Sequence, residues 1–195
     1  MSLKWWEKTV EYKFVALVAQ ENKLFLAPLA DKHERAGDAI FSTKNKWLLI
    51  EFKKDKGCVN SEKAKFVDYV AASKTLSSRD NHHHIVYGQE HEKHLKLICR
   101  TYFSSIFYDR LIDLLATGIE FDSFKSYIVE FTAFKKLPAD QGGGGELSLD
   151  EFAMVAGVNN EGNIVECISL SEFKRELKLE LVQEKEYTHE RGPSR

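Results

Sequence analysis

The sequence predicts a mixed α/β fold in which a central β-sheet is flanked by helices. Three observations lead to this prediction. Apolar residues recur at helical spacing near the N-terminus, two short apolar runs at 39–41 and 47–50 flank a polar turn, and a second helical pattern precedes an apolar run at 84–88. Helix, strands, helix and strand therefore follow one another along the first half of the chain.

The first predicted helix spans Leu3 to Ala19. Its apolar stripe consists of Leu3, Trp6, Val10, Phe14 and Leu17. At about 100° per residue, Glu7 falls inside this stripe and Glu11 lies at its edge. Because an unpaired charge in a protein core is costly, Glu7 needs a partner of opposite charge.

The two apolar runs at 39–41 and 47–50 are predicted to form adjacent strands, preceded by an edge strand at 23–29. Alternate residues of a strand share one face, so Glu51 and Lys53 point to the same side while Phe52 points to the other. Asp38 begins the first run. If the two strands pair, Asp38 lies alongside Glu51 and Lys53.

Asp38 followed by Glu51-x-Lys53 resembles the motif of the PD-(D/E)xK nuclease superfamily, with Gly37 where that pattern often has a proline. The resemblance covers about the first ninety residues and implies a restriction-endonuclease-like fold. It implies that Asp38 and Glu51 bind Mg²⁺ or Mn²⁺ with help from the backbone carbonyl of Phe52. Lys53 would position or activate the attacking water.

The same resemblance bears on the first helix, because superfamily members often contribute a further acid from it. It would make Glu7 a catalytic residue or, as the other option, Glu11 a metal ligand. The two assignments remain open at this point. An ordinary ion pair with a neighbouring lysine is the alternative for either glutamate.

The context of Glu51 distinguishes it from other copies of the short motif. Glu-x-Lys also begins at residues 11, 21, 172 and 176, and the copy at Glu172 is again Glu-Phe-Lys. That copy follows Ser169 by three residues, which predicts a capping box on an exposed helix. The Glu51 copy instead ends an apolar strand that follows an aspartate. Paired carboxylates in such a position suit a divalent cation, which neutralises a phosphodiester and lowers the pKa of bound water.

The remaining elements are predicted from apolar spacing and turn residues. His82, His83 and His84 precede or enter the strand at 84–88, and we interpret them as a polar loop rather than a zinc site. Helices are predicted at 61–76, with Ser61 as cap, and at 104–116, 121–136 and 170–181. The segment at 94–103 is predicted to be either strand or helix. The four glycines at 142–145 predict a flexible hinge, and the runs at 151–158 and 164–169 predict a β-hairpin. The chain divides into a nuclease-like core at 1–95, a helical and hairpin part at 96–183 packed on the same domain, and a disordered tail at 184–195.

Composition limits the class of protein. The 195 residues carry a formal net charge of −2 and three widely separated cysteines without a CxxC spacing, which indicates reduced thiols. No apolar run has the length of a membrane helix, and no secretory signal is present, so we expect a cytoplasmic protein without membrane contact. Residues 44–65 hold seven lysines against three acids, a local balance of +4 that suits phosphate binding.

These observations predict a metal-dependent nuclease that acts on DNA, a substrate favoured by the resemblance alone. The small net charge suggests that a homodimer or a partner subunit supplements its affinity. A nuclease-like module that binds nucleic acid or protein without cutting is the principal alternative, and a structural subunit is the third.

Overall fold

A computed structural model of the chain shows a mixed α/β fold built on one six-stranded mixed sheet with helices on both faces. The described residues are 3–22, 45–135, 153–170, 172, 173 and 175. The helices are α1 (Glu7–Asn22), α2 (Lys56–Ser61), α3 (Tyr69–Leu76), α4 (Leu111–Leu115) and α5 (Phe121–Ala133). The strands are β1 (Lys46–Lys53), β2 (His83–His91), β3 (His94–Thr101), β4 (Phe107–Tyr108), β5 (Ala153–Val158) and β6 (Ile164–Ser169), and a 3₁₀ turn covers Glu62–Lys65.

The sheet has the strand order β4-β3-β2-β1-β5-β6. Strands β1 and β2 are parallel and lie at its centre, whereas the other neighbours are antiparallel. The connection from β1 to β2 passes through α2 and α3, as a parallel crossover requires. Strands from before and after residue 95 thus share one sheet.

Each face of the sheet has its own apolar core. Trp47 and Leu49 of β1 pack with α3 and α5 on one face, whereas Leu48, Ile50 and Phe52 pack with α1 and α4 on the other. The predicted alternation of β1 is therefore confirmed. Across the described ranges, no helix combines the length and the apolar character needed to cross a membrane.

Both edges of β1 are occupied between Leu49 and Glu51. On one side Leu49 and Glu51 pair with β2, and on the other Lys46 to Glu51 pair with β5. Strand β5 was not predicted as a neighbour of β1, and the run at 39–41, whose pairing with the run at 47–50 was predicted, lies outside the described residues. Asp38 itself lies outside the described residues, as do the predicted strand at 23–29, the glycines at 142–145 and the tail at 184–195.

Helix α1 begins at Glu7, four residues after the predicted start. Trp6 is the residue before the helix, and its backbone N–H donates to Thr9 Oγ1 in the first turn. Trp6 is 76% exposed, and the residues that are buried are Val10, Phe14 and Val18. The core-facing stripe thus follows an i, i+4, i+8 spacing that starts after Glu7.

The predicted helix at 61–76 is wrong in its first half, because α2 ends at Ser61, a 3₁₀ turn covers Glu62–Lys65, and only α3 falls within the predicted span. Asp55 Oδ1 accepts the N–H of Cys58 and Asp68 Oδ1 accepts the N–H of Ala71, so each aspartate starts a helix of its own. Ser61 ends α2 and is not a cap of a longer helix. The predicted helix at 104–116 is also wrong in part, because it contains β4 and only the short α4.

The later elements agree better with the sequence pattern. Helix α5 buries Phe124, Tyr127, Ile128 and Phe131, as its spacing predicts, and β5 and β6 form the predicted hairpin. The segment at 94–103, which periodicity left undecided, is mostly strand. The predicted helix at 170–181 lies largely outside the described residues.

Gly88 has no side chain, which allows Trp5, in the segment before α1, to lie close to the sheet. A Cβ atom at this position would lie 2.5 Å from Trp5 Nε1, 2.8 Å from Leu95 Cδ1 and 2.9 Å from the Lys54 carbonyl oxygen. We therefore expect Gly88→Ala to lower the free energy of unfolding by about 1–3 kcal/mol, measured by urea denaturation. Gln89→Ala, at the exposed next position, is the control. Equal stability of the two variants would contradict this packing.

Candidate functional site

Lys53 lies among three glutamates at the C-terminal end of β1. Its Nζ is 3.2 Å from Glu62 Oε1, 3.6 Å from Glu7 Oε1 and 3.7 Å from Glu51 Oε2. Lys53 is 4% exposed and Glu51 is 5% exposed, so this is a buried ionic cluster rather than a solvated strand end. Glu51 and Lys53 therefore belong to the protein interior.

Three elements bring these carboxylates together. Glu51 shares one face of β1 with Lys53, and Glu7 belongs to the first turn of α1. The indole Nε1 of Trp5 donates to the Lys54 carbonyl over 2.7 Å, which fixes the start of α1 beside the end of β1. Glu62 comes from the 3₁₀ turn and accepts a 3.0 Å hydrogen bond from the Tyr102 hydroxyl.

A second lysine, Lys135, reaches the same carboxylates from beyond α5. Its Nζ donates to the Tyr102 hydroxyl over 3.1 Å and lies 3.5 Å from Glu62 Oε2 and 3.8 Å from Glu51 Oε1. It also lies over the Phe66 and Phe131 rings, at 4.4 and 4.6 Å from their centroids. This arrangement desolvates one side of the ammonium and directs its charge to the carboxylates.

The ionic cluster is balanced in charge. Lys65 forms an ion pair with Glu62, so the cluster consists of three carboxylates (Glu7, Glu51 and Glu62) and three ammonium groups (Lys53, Lys65 and Lys135). Balance of this kind allows the charges to remain buried, because each has partners of opposite sign.

The ionisation of the cluster follows from burial opposed by neighbouring charge. Burial acts to raise the pKa of Glu51, but Lys135, His83 and Lys53 hold that pKa well below its ordinary value. Burial acts to lower the pKa of Lys53, and Glu51, Glu62 and Glu7 together raise it. Glu7 differs, because burial raises its pKa in spite of Lys53. Glu51 and Lys53 are therefore both charged at neutral pH.

His83 lies behind Glu51, which the sequence did not indicate. It is fully buried, its Nε2 lies 3.6 Å from Glu51 Oε1, and its Nδ1 is 2.8 Å from the Tyr127 hydroxyl. His82 and His84 are buried as well. The prediction of a polar loop at these three histidines is wrong, because aromatic rings and hydroxyl groups from later segments surround them.

The structure places the predicted site residues as follows. Glu51, Lys53 and Glu7 are brought together. Glu11 forms an ion pair with Lys8 at 2.8 Å, and no described contact joins it to the ionic cluster, so its prediction as a metal ligand is not supported. The Phe52 side chain lies in the opposite core.

The basic segment is only partly a surface patch. Lys53 is buried in the ionic cluster, and Lys46 and Lys65 form ion pairs with Glu120 and Glu62. Lys56 and Lys63 are exposed.

The donor atoms suit a hard divalent cation, but their present arrangement is organised around an ammonium group. Carboxylate oxygens of Glu7 and Glu51 are ligands that Mg²⁺ and Mn²⁺ accept. Both face Lys53 Nζ, however, and within the described parts of the chain no group of three or more His, Cys, Asp or Glu side chains is placed to hold a metal ion.

No protein-family model, curated protein or solved structure matches this chain. The resemblance to the PD-(D/E)xK superfamily therefore depends on the motif residues themselves.

Proposed function

We propose that this chain is a metal-dependent nuclease with a restriction-endonuclease-like core, and that Glu51, Lys53 and Glu7 are its catalytic centre. The observation that carries the proposal is the convergence of these three side chains at the end of a central parallel strand. They come from a strand and from the first helix, as the resemblance implies. The charged state of Glu51 and Lys53 at neutral pH agrees with these roles.

Each residue has a distinct role in the proposed reaction. Glu51 and Glu7 would supply carboxylate oxygens to Mg²⁺ or Mn²⁺, with Asp38 and the backbone carbonyl of Phe52 as the further predicted ligands. The bound ion would neutralise the phosphate and lower the pKa of a coordinated water. Lys53 holds the nucleophile in place and offsets the developing negative charge.

DNA is the proposed substrate, and its phosphates would meet cations at the surface beside the site. Lys56 and Lys63 are exposed on the segment that follows β1. Lys54 is half-buried, and its Nζ lies 5.8 Å from the centroid of the exposed Trp6 ring. Lysines and an exposed aromatic ring are suited to a sugar-phosphate chain and its bases. A second copy of the chain or a partner subunit would extend this limited surface.

The proposal is tested by incubating plasmid and linear DNA with Mg²⁺, Mn²⁺ or EDTA. We expect cleavage with either metal and none with EDTA. Glu51→Gln and Lys53→Ala should each reduce the rate at least about 100-fold. Glu172→Gln is the matched control, because Glu172 belongs to the second Glu-Phe-Lys sequence and its carboxylate accepts hydrogen bonds from Ser169. Equal cleavage by wild type and Glu51→Gln would refute the proposal.

A non-catalytic, nuclease-like binding module is the second candidate. It is favoured by the low exposure of Glu51 and Lys53 and by the internal pairing of the whole ionic cluster. This candidate predicts DNA or protein binding that is unchanged by EDTA and by Glu51→Gln. A gel-shift assay at low salt, carried out with and without EDTA, separates the two functions.

A further inference from the structure

A buried histidine, His83, lies on the inner side of Glu51, and no motif assigns it a role. Glu51 Oε2 lies 3.7 Å from Lys53 Nζ, while Glu51 Oε1 lies 3.6 Å from His83 Nε2 and 3.8 Å from Lys135 Nζ. The two oxygens of the carboxylate thus have different surroundings. One oxygen faces the proposed catalytic lysine, and the other faces the protein interior.

The position of the His83 ring is fixed on all sides. It stacks on Tyr102, with centroids 4.2 Å apart and planes 19° apart, and Phe131 meets it edge-on at 4.7 Å. The Tyr127 hydroxyl is 2.8 Å from Nδ1. His83 and Tyr127 are both almost completely buried. The ring therefore has one orientation with respect to Glu51.

The surroundings of the two ring nitrogens select one neutral tautomer. If Nδ1 carried the proton, the lone pair of Nε2 would face the negatively charged Glu51. If Tyr127 donates to Nδ1, the proton lies on Nε2 and its positive end faces Glu51 Oε1. The second arrangement is attractive at both nitrogens. Among the described residues, His83 Nε2 has no hydrogen-bond partner, because its 3.6 Å separation from Glu51 Oε1 is just longer than a hydrogen bond.

We propose that His83 is a positioning residue for Glu51 and that Tyr127 sets its tautomer, so that the pair aims the Glu51 carboxylate at the catalytic centre. The arrangement has the form of an outer-shell partner, which orients a ligand without touching substrate. The part of this inference that concerns catalysis rests on the proposed function. The orientation of Glu51 and the tautomer of His83 do not depend on it.

The tautomer is tested by long-range ¹H–¹⁵N correlation spectra of protein labelled with ¹⁵N-histidine. We expect the His83 signals of a neutral ring protonated at Nε2, and a change in its Nε2 chemical shift in Glu51→Gln. A ring protonated at Nδ1, or a Nε2 shift that is unaffected by Glu51→Gln, overturns the inference. These results hold whether or not the protein cleaves DNA.

The role in catalysis is tested with Tyr127→Phe, which removes one hydroxyl group and keeps the ring. We expect the metal concentration for half-maximal cleavage to rise by about 10- to 100-fold. His83→Leu should have at least this effect, and His83→Gln, which retains an N–H donor, should recover part of the loss. Thr117→Val is the matched control, because it also removes one hydroxyl group beside a buried histidine, but Thr117 Oγ1 lies 2.8 Å from Nε2 of His84 rather than of His83.

Equal metal dependence of Tyr127→Phe and Thr117→Val would overturn the positioning role. If the wild type cleaves no DNA with either metal, the proposed function fails. The spectra then decide the His83 assignment by themselves.

Discussion

Lys53→Met is expected to lower the free energy of unfolding by about 3–5 kcal/mol at pH 7, because it removes the ammonium group that Glu7, Glu51 and Glu62 share. Methionine has a similar length and fits the same space, so the loss reports on charge rather than on a cavity. Glu51 and Glu62 would stay buried with fewer positive partners. Urea denaturation followed by circular dichroism measures the change.

Two further variants show whether charge is the cause. Lys56→Met changes an exposed lysine three residues away and should alter stability by less than about 0.5 kcal/mol. Lys53→Met combined with Glu62→Gln removes one charge of each sign from the ionic cluster and should recover part of the loss. A loss below about 1 kcal/mol in Lys53→Met would show that the carboxylates do not depend on this lysine.

The part of the site that could be predicted from the sequence is the part governed by local periodicity. The two-residue repeat of β1 placed Leu49, Glu51 and Lys53 on one face and Phe52 on the other, and the structure packs Leu49 and Phe52 in different cores. The helical repeat placed Glu7 on the inner side of α1, where it meets Lys53. Both results need only the geometry of one element.

The rest of the ionic cluster depends on contacts between distant segments, which periodicity does not report. Glu62, which precedes β2 in the chain, contacts Lys53, and Lys135, which follows α5, contacts both Glu51 and Glu62. Nothing in their local sequence distinguishes them from surface charges. The same limit explains why the neighbour of β1 was not predicted, since β5 begins only at Ala153.

The three histidines show why side-chain polarity alone was misleading. His82 packs edge-on against Tyr127, with ring centroids 4.5 Å apart, and His84 bonds Thr117. A neutral imidazole is small and flat enough to pack among aromatic rings. The rings around His82 belong to α5, and the hydroxyl beside His84 follows α4, so the sequence around residue 82 could not predict burial.

Burial of these histidines leads to a steep acid sensitivity. Burial lowers the pKa of both His82 and His84 from 6.5 to about 3. In the unfolded chain each ring takes up a proton below about pH 6.5, whereas in the folded protein it does so only near pH 3. The unfolded state therefore binds more protons in this window, and stability falls as the pH falls.

The expected slope is about 1.4 kcal/mol per pH unit for each histidine, or about 2.7 for the pair, between pH 6 and pH 4. His82→Phe isolates one of the two, because a phenyl ring can take the place of the imidazole beside Phe124 and Tyr127. Urea denaturation at pH 7, 6, 5 and 4 should show a slope reduced by about 1.4 kcal/mol per pH unit in this variant. His91→Phe, at the exposed end of β2, controls for the added phenyl ring. If His82→Phe keeps the full slope of the wild type, His82 does not remain neutral in the folded protein, and the acid sensitivity must come from other groups.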